Sequence, residues 1–566
     1  MDQSSSITTL EDVLRLLDGA SLNPTRRRDT VSAVKRLCEM AGTTPAAVPA
    51  EPTFLRGMLS AILPAAHGIS AKSYSNLRSV LGAALQLAGV VDPLGRGDGR
   101  RHPVWAPLLE TIADDKRLSN GLAAFGNWCA GQDISPNRVD DVAVQRFLIW
   151  LEAKTLYPKP RDLVRRVPNV WNQASVKIPS WPSIKLTTLS FKAPTKRLTW
   201  EDLSPSLQRD VEAYLALRAE PDLFDERPNA PRRPLAGTTL RQQREHLRLA
   251  ASVLTENGEA GAITSLADLV RPKSFKAILS YYHAQANAEP NAFVIGLATT
   301  LIQVARYRTH ATAKKVRELK QLAAKLPQLP FDLTSKNKGL LRQLESQRLR
   351  AKLLFLPEQL TAKVAKALEG GRVRLVDAEV AVAIDILLAI PLRPQNLSSL
   401  HWQHHFSEPN GSRGPLVLHI AARHTKTKRQ DITVEVPDDV ARRLRWYRRH
   451  VLPRLGADAN GYLFVTKKGS KKSQATLTQQ IIEAIGRHIG IHMTPHQFRH
   501  FAAASYLEQH PEDFETARSI LGHGWSKTTR IYVGSSSRRA SRAYNQFLFE
   551  QREELKLKRP RKKRGR

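Results

Sequence analysis

Apolar residues recur with the period of an α-helix through most of the first 330 residues, and this pattern restricts the region to a largely helical architecture. The segment 26–40 is typical, and Gly42 ends it. Its apolar face consists of Val31, Val34, Leu37 and Cys38. Similar stripes, each followed by a glycine and a second stripe, return at about 122–151 and 247–279. They are either three degenerate copies of one helical module or unrelated helix–turn–helix units, and the pattern fits both interpretations.

The pattern changes after about residue 350. Alternating apolar residues over 416–420 and 432–436 predict two antiparallel strands joined by a polar turn, and 462–465 predicts a third short strand. Helical periodicity predicts helices over 378–390, 476–489, 495–507, 514–521 and 539–555. The chain is therefore expected to be mainly α, with tandem helical domains followed by an α+β domain that contains a small antiparallel sheet.

Proline-rich and basic stretches mark the expected domain boundaries. They predict a helical module over 1–110, a second with a basic Pro-rich linker over 111–195, a third over 196–335, the α+β domain over 350–555, and a basic tail over 556–566. The tail is expected to be disordered and to bind phosphate, and a nuclear-type address or a solubilising end explains its composition equally well.

The charge balance indicates the class of partner. The chain has 87 Lys and Arg against 52 Asp and Glu, a net charge of +35 that favours a polyanion such as nucleic acid or an acidic membrane surface. Two cysteines cannot build a disulfide framework, and the first residues are polar rather than those of a secretory signal. The longest apolar run, 380–392, is too short for a bilayer and contains Asp385. These features predict a cytoplasmic, nucleoid-associated protein.

No feature of the sequence predicts a cofactor or a metal. The chain lacks a GxxxxGK[ST] phosphate loop, and His401, His404 and His405 share one short segment, where neighbouring histidines rarely converge on a metal. A protein that binds DNA without either group only binds, or performs its chemistry with side chains.

An ordered set of side chains in the α+β domain supplies that chemistry. His496 and Arg499 lie three residues apart on a predicted helix, so both can face one cleft. The full set, in chain order, is Arg393, Lys426, His496, Arg499, His523 and Tyr532. The order and spacing resemble the Arg…Lys…His-x-x-Arg…His/Trp…Tyr pattern of the tyrosine recombinase (phage integrase) family over residues 350–550. By position and pattern, the preceding helical modules resemble the SAM-like core-binding domains of that family.

The resemblance implies a DNA strand-transferase in which Tyr532 is the nucleophile and a 3′-phosphotyrosyl intermediate forms without ATP or metal. Tyrosine is a weak nucleophile at its ordinary pKa of about 10, so the site must accept its proton or stabilise its oxyanion. Arg393 and Arg499 would clamp the phosphate bidentately, which lysine cannot do. His496 would act as a general acid or base, and His523 would donate a hydrogen bond to the phosphate. By resemblance, Lys426 protonates the leaving 5′ oxygen.

Several residues compete with this assignment. The family usually has an acid three residues after the first arginine, where this chain has Asn396. Lys428 stands two residues from Lys426 in the same turn and is the alternative lysine. His500 is interpreted as a structural or supporting residue rather than a catalytic one. Tyr544 lies on an apolar helix face, which indicates packing rather than catalysis. The helix around Tyr544 docks either on its own chain or on a neighbouring protomer.

The resemblance further implies double-stranded DNA as partner, a homo-oligomer of four protomers on DNA, and companion recombinases or accessory proteins. The resemblance is equally consistent with a transposase, an integrase or another recombinase of a mobile element. The alternatives are a DNA-binding relative that has lost catalysis, which Tyr532→Phe would identify, and a type IB topoisomerase-like enzyme that relaxes supercoils. An RNA- or membrane-binding protein explains the charge and leaves the ordered set unexplained.

Overall fold

The structure of the protein is a computed structural model, and two compact units account for its contacts: Met1–Leu189 with Leu333–Arg566, and Ser190–Asp332. The domain boundaries predicted above stay predictions. The described residues are 7–19, 23–93, 98–191, 197–227, 230–255, 263–329, 333–370, 373–411, 414–425, 431–466, 468–510, 513, 515–516 and 533–557, with the backbone alone for 533–543.

The regular elements of the amino-terminal part of the first unit are helices over its described residues, apart from an isolated bridge between Thr9 and Pro49. Capping residues define the helix starts: Asn23 accepts from the Thr25 amide, Ser70 from the Ser73 amide, and Asp115 from the Leu118 amide. The helices are α1 (Leu10–Gly19), α2 (Pro24–Met40), α3 (Pro52–Ala61), α4 (Ala71–Leu87), α5 (Asp98–Arg101), α6 (Trp105–Glu110), α7 (Lys116–Gly131), α8 (Asp141–Lys154) and α9 (Pro160–Lys177).

Two small cores lie in this part, joined by a buried arginine. Aliphatic residues of α1 to α4 fill the first core. Aromatic side chains dominate the second, with Trp105, Phe125 and Trp171 almost fully buried. Arg56 on α3 donates to the carbonyl oxygens of Leu151 (3.2 Å) and Thr155 (2.6 Å), and so satisfies carbonyls at the end of α8.

The second unit is a helical domain with its own core. His246 and Thr300 share a buried hydrogen bond of 2.8 Å, and the Tyr214 hydroxyl lies 3.1 Å from Gln243 Oε1. Leu266, Leu269, Phe275 and Leu301 are nearly inaccessible to solvent. The helices are α10 (Pro205–Ala219), α11 (Gly237–Leu254), α12 (Leu266–Leu269), α13 (Pro272–Gln285), α14 (Ala292–Tyr307) and α15 (Ala313–Ala323).

The carboxy-terminal part of the first unit is built around one helix that is buried on all sides. Every residue of that helix from Asp377 to Ala389 is buried, most of them apolar, and the neighbouring helices pack around it. The helices are α16 (Ser335–Leu344), α17 (Gln347–Leu368), α18 (Leu375–Ala389, the central one), α19 (Pro394–Ser398), α20 (Trp402–His405), α21 (Asp438–His450), α22 (Gln474–His488), α23 (Gln497–Gln509) and α24 (Val533–Leu557).

A small antiparallel sheet lies beside these helices in the order β1 (Phe406–Ser407), β2 (Leu416–Ile420) and β3 (Ile432–Val436). The two longer strands coincide with the predicted ones, and Leu418 faces Val434 across the pair. The predicted third strand at 462–465 is wrong, because Tyr462 and Val465 form only isolated bridges, to His401 and Lys471. The predicted class, mainly helical with a small antiparallel sheet, is confirmed.

Helix α24 packs on its own chain. Tyr544, Phe547 and Leu548 are buried in the core around α18, which confirms Tyr544 as a packing residue. Arg552 bonds Asp439 and Asp385, and Arg443 bridges the same two carboxylates at 2.7 and 2.5 Å. This charge network joins the carboxy-terminal half of α24 to α18 and α21. None of the described helices combines the length and the apolarity that crossing a bilayer requires.

Candidate active site

Arg393 lies in the short turn that follows the central helix. Pro391 and Pro394 flank the segment, and Arg393 occupies the extended N-cap position of α19, with its carbonyl accepting from the Leu397 amide at 3.0 Å. The side chain is half-buried. A guanidinium at this point is anchored by the most deeply buried helix of the unit.

Arg499, on a different helix, is hydrogen-bonded to the same turn. It is only 5% exposed, and its Nη1 donates to the carbonyl oxygen of Pro391 at 2.7 Å. Burial and the charge of Arg393 lower the pKa of Arg499 to about 10, so the side chain remains a cation at neutral pH. The structure therefore brings Arg393 and Arg499 together, although 106 positions separate them in the sequence.

His496 stands at the start of α23, in the turn before Arg499. Its side chain is exposed, and its ring lies 5.5 Å from the ring of His500, edge to face. Burial and the charge of Arg499 lower the pKa of His500, which favours the neutral imidazole. An exposed imidazole three residues before Arg499, at the start of the same helix, is suited to exchange a proton with a ligand that the arginines hold.

Asn396, in the position where the family usually has an acid, is buried, with only 7% of its surface accessible. Its Nδ2 has no hydrogen-bond partner among the described residues. Nearby, Lys471 Nζ donates to Ser399 Oγ at 2.9 Å and so places a further cation beside α19. Sequence reasoning missed Lys471, because three other lysines crowd the same hairpin.

Three of the six predicted site residues, Lys426, His523 and Tyr532, lie outside the described residues. The described chain reaches Thr425, whose hydroxyl donates to the Ala422 carbonyl at 2.8 Å, at the end of β2 and its following turn. The roles assigned to these three residues are proposals.

The histidine segment at α20 forms a stacked surface. The rings of His401 and His404 lie 4.2 Å apart and nearly parallel, and Tyr462 meets His401 edge-on at 5.0 Å. Burial lowers the pKa of both His401 and His405. Among the residues that the structure describes, no three His, Cys, Asp or Glu side chains group as metal ligands.

Gln497 and Asn337 are a second pair that sequence reasoning missed. They are 160 positions apart, and Gln497 Nε2 donates to Asn337 Oδ1 at 3.0 Å. The Thr494-x-x-Gln497 spacing is that of a helix capping box, and this local signal could have identified Gln497 as structural. Nothing local could have identified Asn337 as its partner.

Comparisons with known proteins find similarity over part of the chain. The Phage integrase family profile matches residues 359–539. Tyrosine recombinase XerA of Pyrococcus furiosus is 32% identical over 106 residues, 18% of this chain and 35% of that protein. Tyrosine recombinase XerC of Pseudomonas entomophila is 31% identical over 88 residues, 16% of this chain and 28% of that protein. The chain thus spans about a third of the length of the recombinases it matches.

Solved structures give fainter similarities. A lambda integrase dimer bound to a COC′ core site has a TM-score of 0.33 at 14% identity, covering 60% of this chain and 95% of that one. XerH recombinase bound to its difH substrate has a TM-score of 0.28 at 16% identity, covering 61% and 93%. Residues 359–539 of the chain thus match a domain of the phage integrase family, and part of the chain is similar to tyrosine recombinases.

Proposed function

We propose that the protein is a site-specific DNA recombinase that cuts and rejoins strands through a tyrosyl–DNA intermediate. The observation that carries the proposal is the pair of arginines Arg393 and Arg499: Arg499 donates to the Pro391 carbonyl, two residues before Arg393, and the charge of Arg393 acts on the buried Arg499 guanidinium. Like charges at close range are unfavourable unless an anion joins them. A phosphodiester satisfies both arginines, because each guanidinium offers a planar fork of donors to non-bridging oxygens.

The proposed step balances with side chains alone. The Tyr532 hydroxyl oxygen forms a bond to phosphorus and gives up its proton to His496, while the bond from phosphorus to the 5′ oxygen breaks. Lys426 delivers a proton to that leaving oxygen, and His523 donates to the phosphate. The extra negative charge of the transition state falls on the oxygens between the two arginines. Rejoining reverses these transfers and requires no nucleotide, since the phosphotyrosyl bond keeps the energy of the original bond.

The proposal extends to partners and location. Double-stranded DNA is the substrate, four protomers assemble on two duplexes, and companion recombinases or accessory proteins join them in the nucleoid. The excess of 35 positive charges supports a DNA-bound location, and the likeness to XerA and XerC over part of the chain supports recombination rather than relaxation.

Covalent capture tests this function on unselected DNA, so the target site does not have to be identified first. The full chain is incubated with fragmented host or element DNA, SDS is added, and the DNA that remains attached to protein is sequenced. Adducts at a few sites are the expected result. Adducts scattered over all sequences would favour a relaxing enzyme, and the complete absence of adducts would contradict strand cleavage and favour a DNA-binding relative without catalysis.

Affinity for DNA is expected to fall steeply with salt, because binding to phosphates releases condensed counterions. The slope of log affinity against log salt should be roughly one unit for each phosphate contact, as measured by anisotropy titrations of a fixed duplex between about 50 and 200 mM salt. A nearly flat response would contradict an electrostatic DNA clamp.

A further inference from the structure

The side chain of Gln497 forms hydrogen bonds in two opposite directions from a buried position. Only 3% of the residue is exposed. Its Oε1 accepts from the backbone N–H of Thr494 at 2.8 Å and from the Thr494 hydroxyl at 3.1 Å. Since a backbone amide can only donate, this contact fixes which end of the Gln497 amide is oxygen and which is nitrogen. The Nε2 end consequently points at Asn337 Oδ1, 3.0 Å away.

The oxygen end closes the turn that leads into the helix of the candidate catalytic residues. The backbone amide of Gln497 also donates to the Thr494 carbonyl at 2.9 Å, so the side chain and the backbone close one turn together. His496 lies inside that turn, and Arg499 follows two residues after Gln497. A change in the orientation of Gln497 must therefore move the start of α23, and the His496 and Arg499 side chains with it.

The nitrogen end bonds the first turn of α16, within the first unit. Asn337 lies in the first turn of α16, which Thr334 caps through the Asn337 amide, and the second unit ends at Asp332. A further tie binds the far end of α23 to the next helix, because Arg350 Nη2 donates to Glu508 Oε2 at 2.6 Å. Helix α23 is thus bonded near its start to α16 and near its end to α17.

We infer that Gln497 is a positioning residue, through which Asn337 on α16 sets the orientation of His496 and Arg499 for phosphate cleavage. This inference rests on the proposed function. Gln497 is too deeply buried to contact DNA, so its effect is on the geometry of the reacting groups. Misplacement of a reacting group by a fraction of an ångström lowers the rate without removing any DNA contact.

The test compares two substitutions at Asn337 in the full chain. Asn337→Leu removes the acceptor and leaves the buried Gln497 Nε2 unsatisfied, whereas Asn337→Asp keeps an acceptor oxygen. Gln343→Leu, at an exposed position of the same helix, is the matched control. Single-turnover adduct formation should be about tenfold slower in Asn337→Leu, with DNA affinity within about twofold of wild type. Asn337→Asp and the control should form adducts at nearly the wild-type rate.

Hydrogen exchange of the DNA-free protein supplies a readout that does not depend on activity. Amides of 494–509 should exchange faster in Asn337→Leu than in wild type and Asn337→Asp. Unchanged exchange and an unchanged cleavage rate would each overturn the inference, as would a loss of affinity equal to the loss of rate. If the wild type forms no adduct at all, the proposed function fails, and the exchange comparison still decides whether Asn337 holds the catalytic helix.

Discussion

Replacing Arg499 by alanine should slow covalent adduct formation by about 10²–10³-fold, the usual effect of removing one preorganised donor from a developing negative charge. The guanidinium is 5% exposed and is fixed to the Pro391 carbonyl, so it requires little reorganisation when the charge develops. Single-turnover assays at saturating protein measure the rate, and titration at the same salt measures affinity. Affinity should change far less than rate, because many other cations bind the phosphates.

Two further variants separate the planar guanidinium from charge alone. Arg499→Lys keeps a positive charge but cannot form the bidentate fork, so it should recover only part of the lost rate. Arg442→Ala removes an exposed arginine from α21 and should keep the rate within about threefold. A rate for Arg499→Ala within threefold of wild type would contradict the role assigned to the arginine pair.

Replacing Lys472 by methionine should destabilise the carboxy-terminal part of the first unit by about 3–5 kcal/mol at pH 7. Lys472 is 4% exposed and bonds Glu379, which is fully inaccessible on the central helix α18. Glu379 also accepts from the Val465 amide at 2.9 Å, so the pair ties the hairpin at 465–471 to that helix. Without Lys472, the carboxylate would be a buried charge without its cation.

The loss of stability in Lys472→Met should be larger at pH 7 than at pH 5. Burial already raises the pKa of Glu379 above its ordinary value of 4.5, against the opposing effect of Lys472. Loss of the lysine raises that pKa further. A carboxyl whose folded-state pKa is raised binds its proton more tightly in the folded state. The associated stability is fully present below the unfolded pKa and is lost as the pH rises through the folded pKa. The deficit of the variant should therefore shrink from pH 7 to pH 5.

Hydrogen exchange of the α18 amides measures this effect, because the comparison of variants at one pH cancels the intrinsic exchange rate. Lys468→Met, on the exposed part of the same hairpin, is the control and should differ from wild type by less than about 0.5 kcal/mol. Glu379→Gln combined with Lys472→Met should restore much of the stability. A loss of stability in Lys472→Met no larger than that of the Lys468→Met control would contradict a stabilising Lys472–Glu379 pair. So would a loss that grows as the pH falls.

Local patterns predicted those parts of the fold that local forces determine. The strands at 416–420 and 432–436 were predictable because each alternates and each pairs with its sequence neighbour. The segment 462–465 has the same apolar character, but its neighbours are His401 and Lys471, which offer isolated bridges rather than a ladder. The apolar run alone could not reveal that absence of a partner strand.

In the candidate site, too, local patterns predicted some features, and contacts between distant positions were not predictable. Residue type and spacing predicted Arg393 and Arg499, and in the structure Arg499 on α23 donates to the carbonyl of Pro391, in the turn that carries Arg393. The ties that hold the turn join positions far apart in sequence, such as Gln497 with Asn337, or Lys472 with Glu379. No periodicity connects such pairs, because their contact depends on the packing of helices around α18.

Identification of the residue that becomes attached to DNA decides whether Tyr532 is the nucleophile. Adducts recovered after SDS are digested with nuclease and protease, and mass spectrometry locates the nucleotide remnant, with Tyr532→Phe treated in parallel. A remnant on Tyr532, attached through a 3′ phosphate, and no adduct from Tyr532→Phe, are the predicted results. A remnant on another residue, or undiminished adducts from Tyr532→Phe, would contradict a tyrosine recombinase that uses this nucleophile.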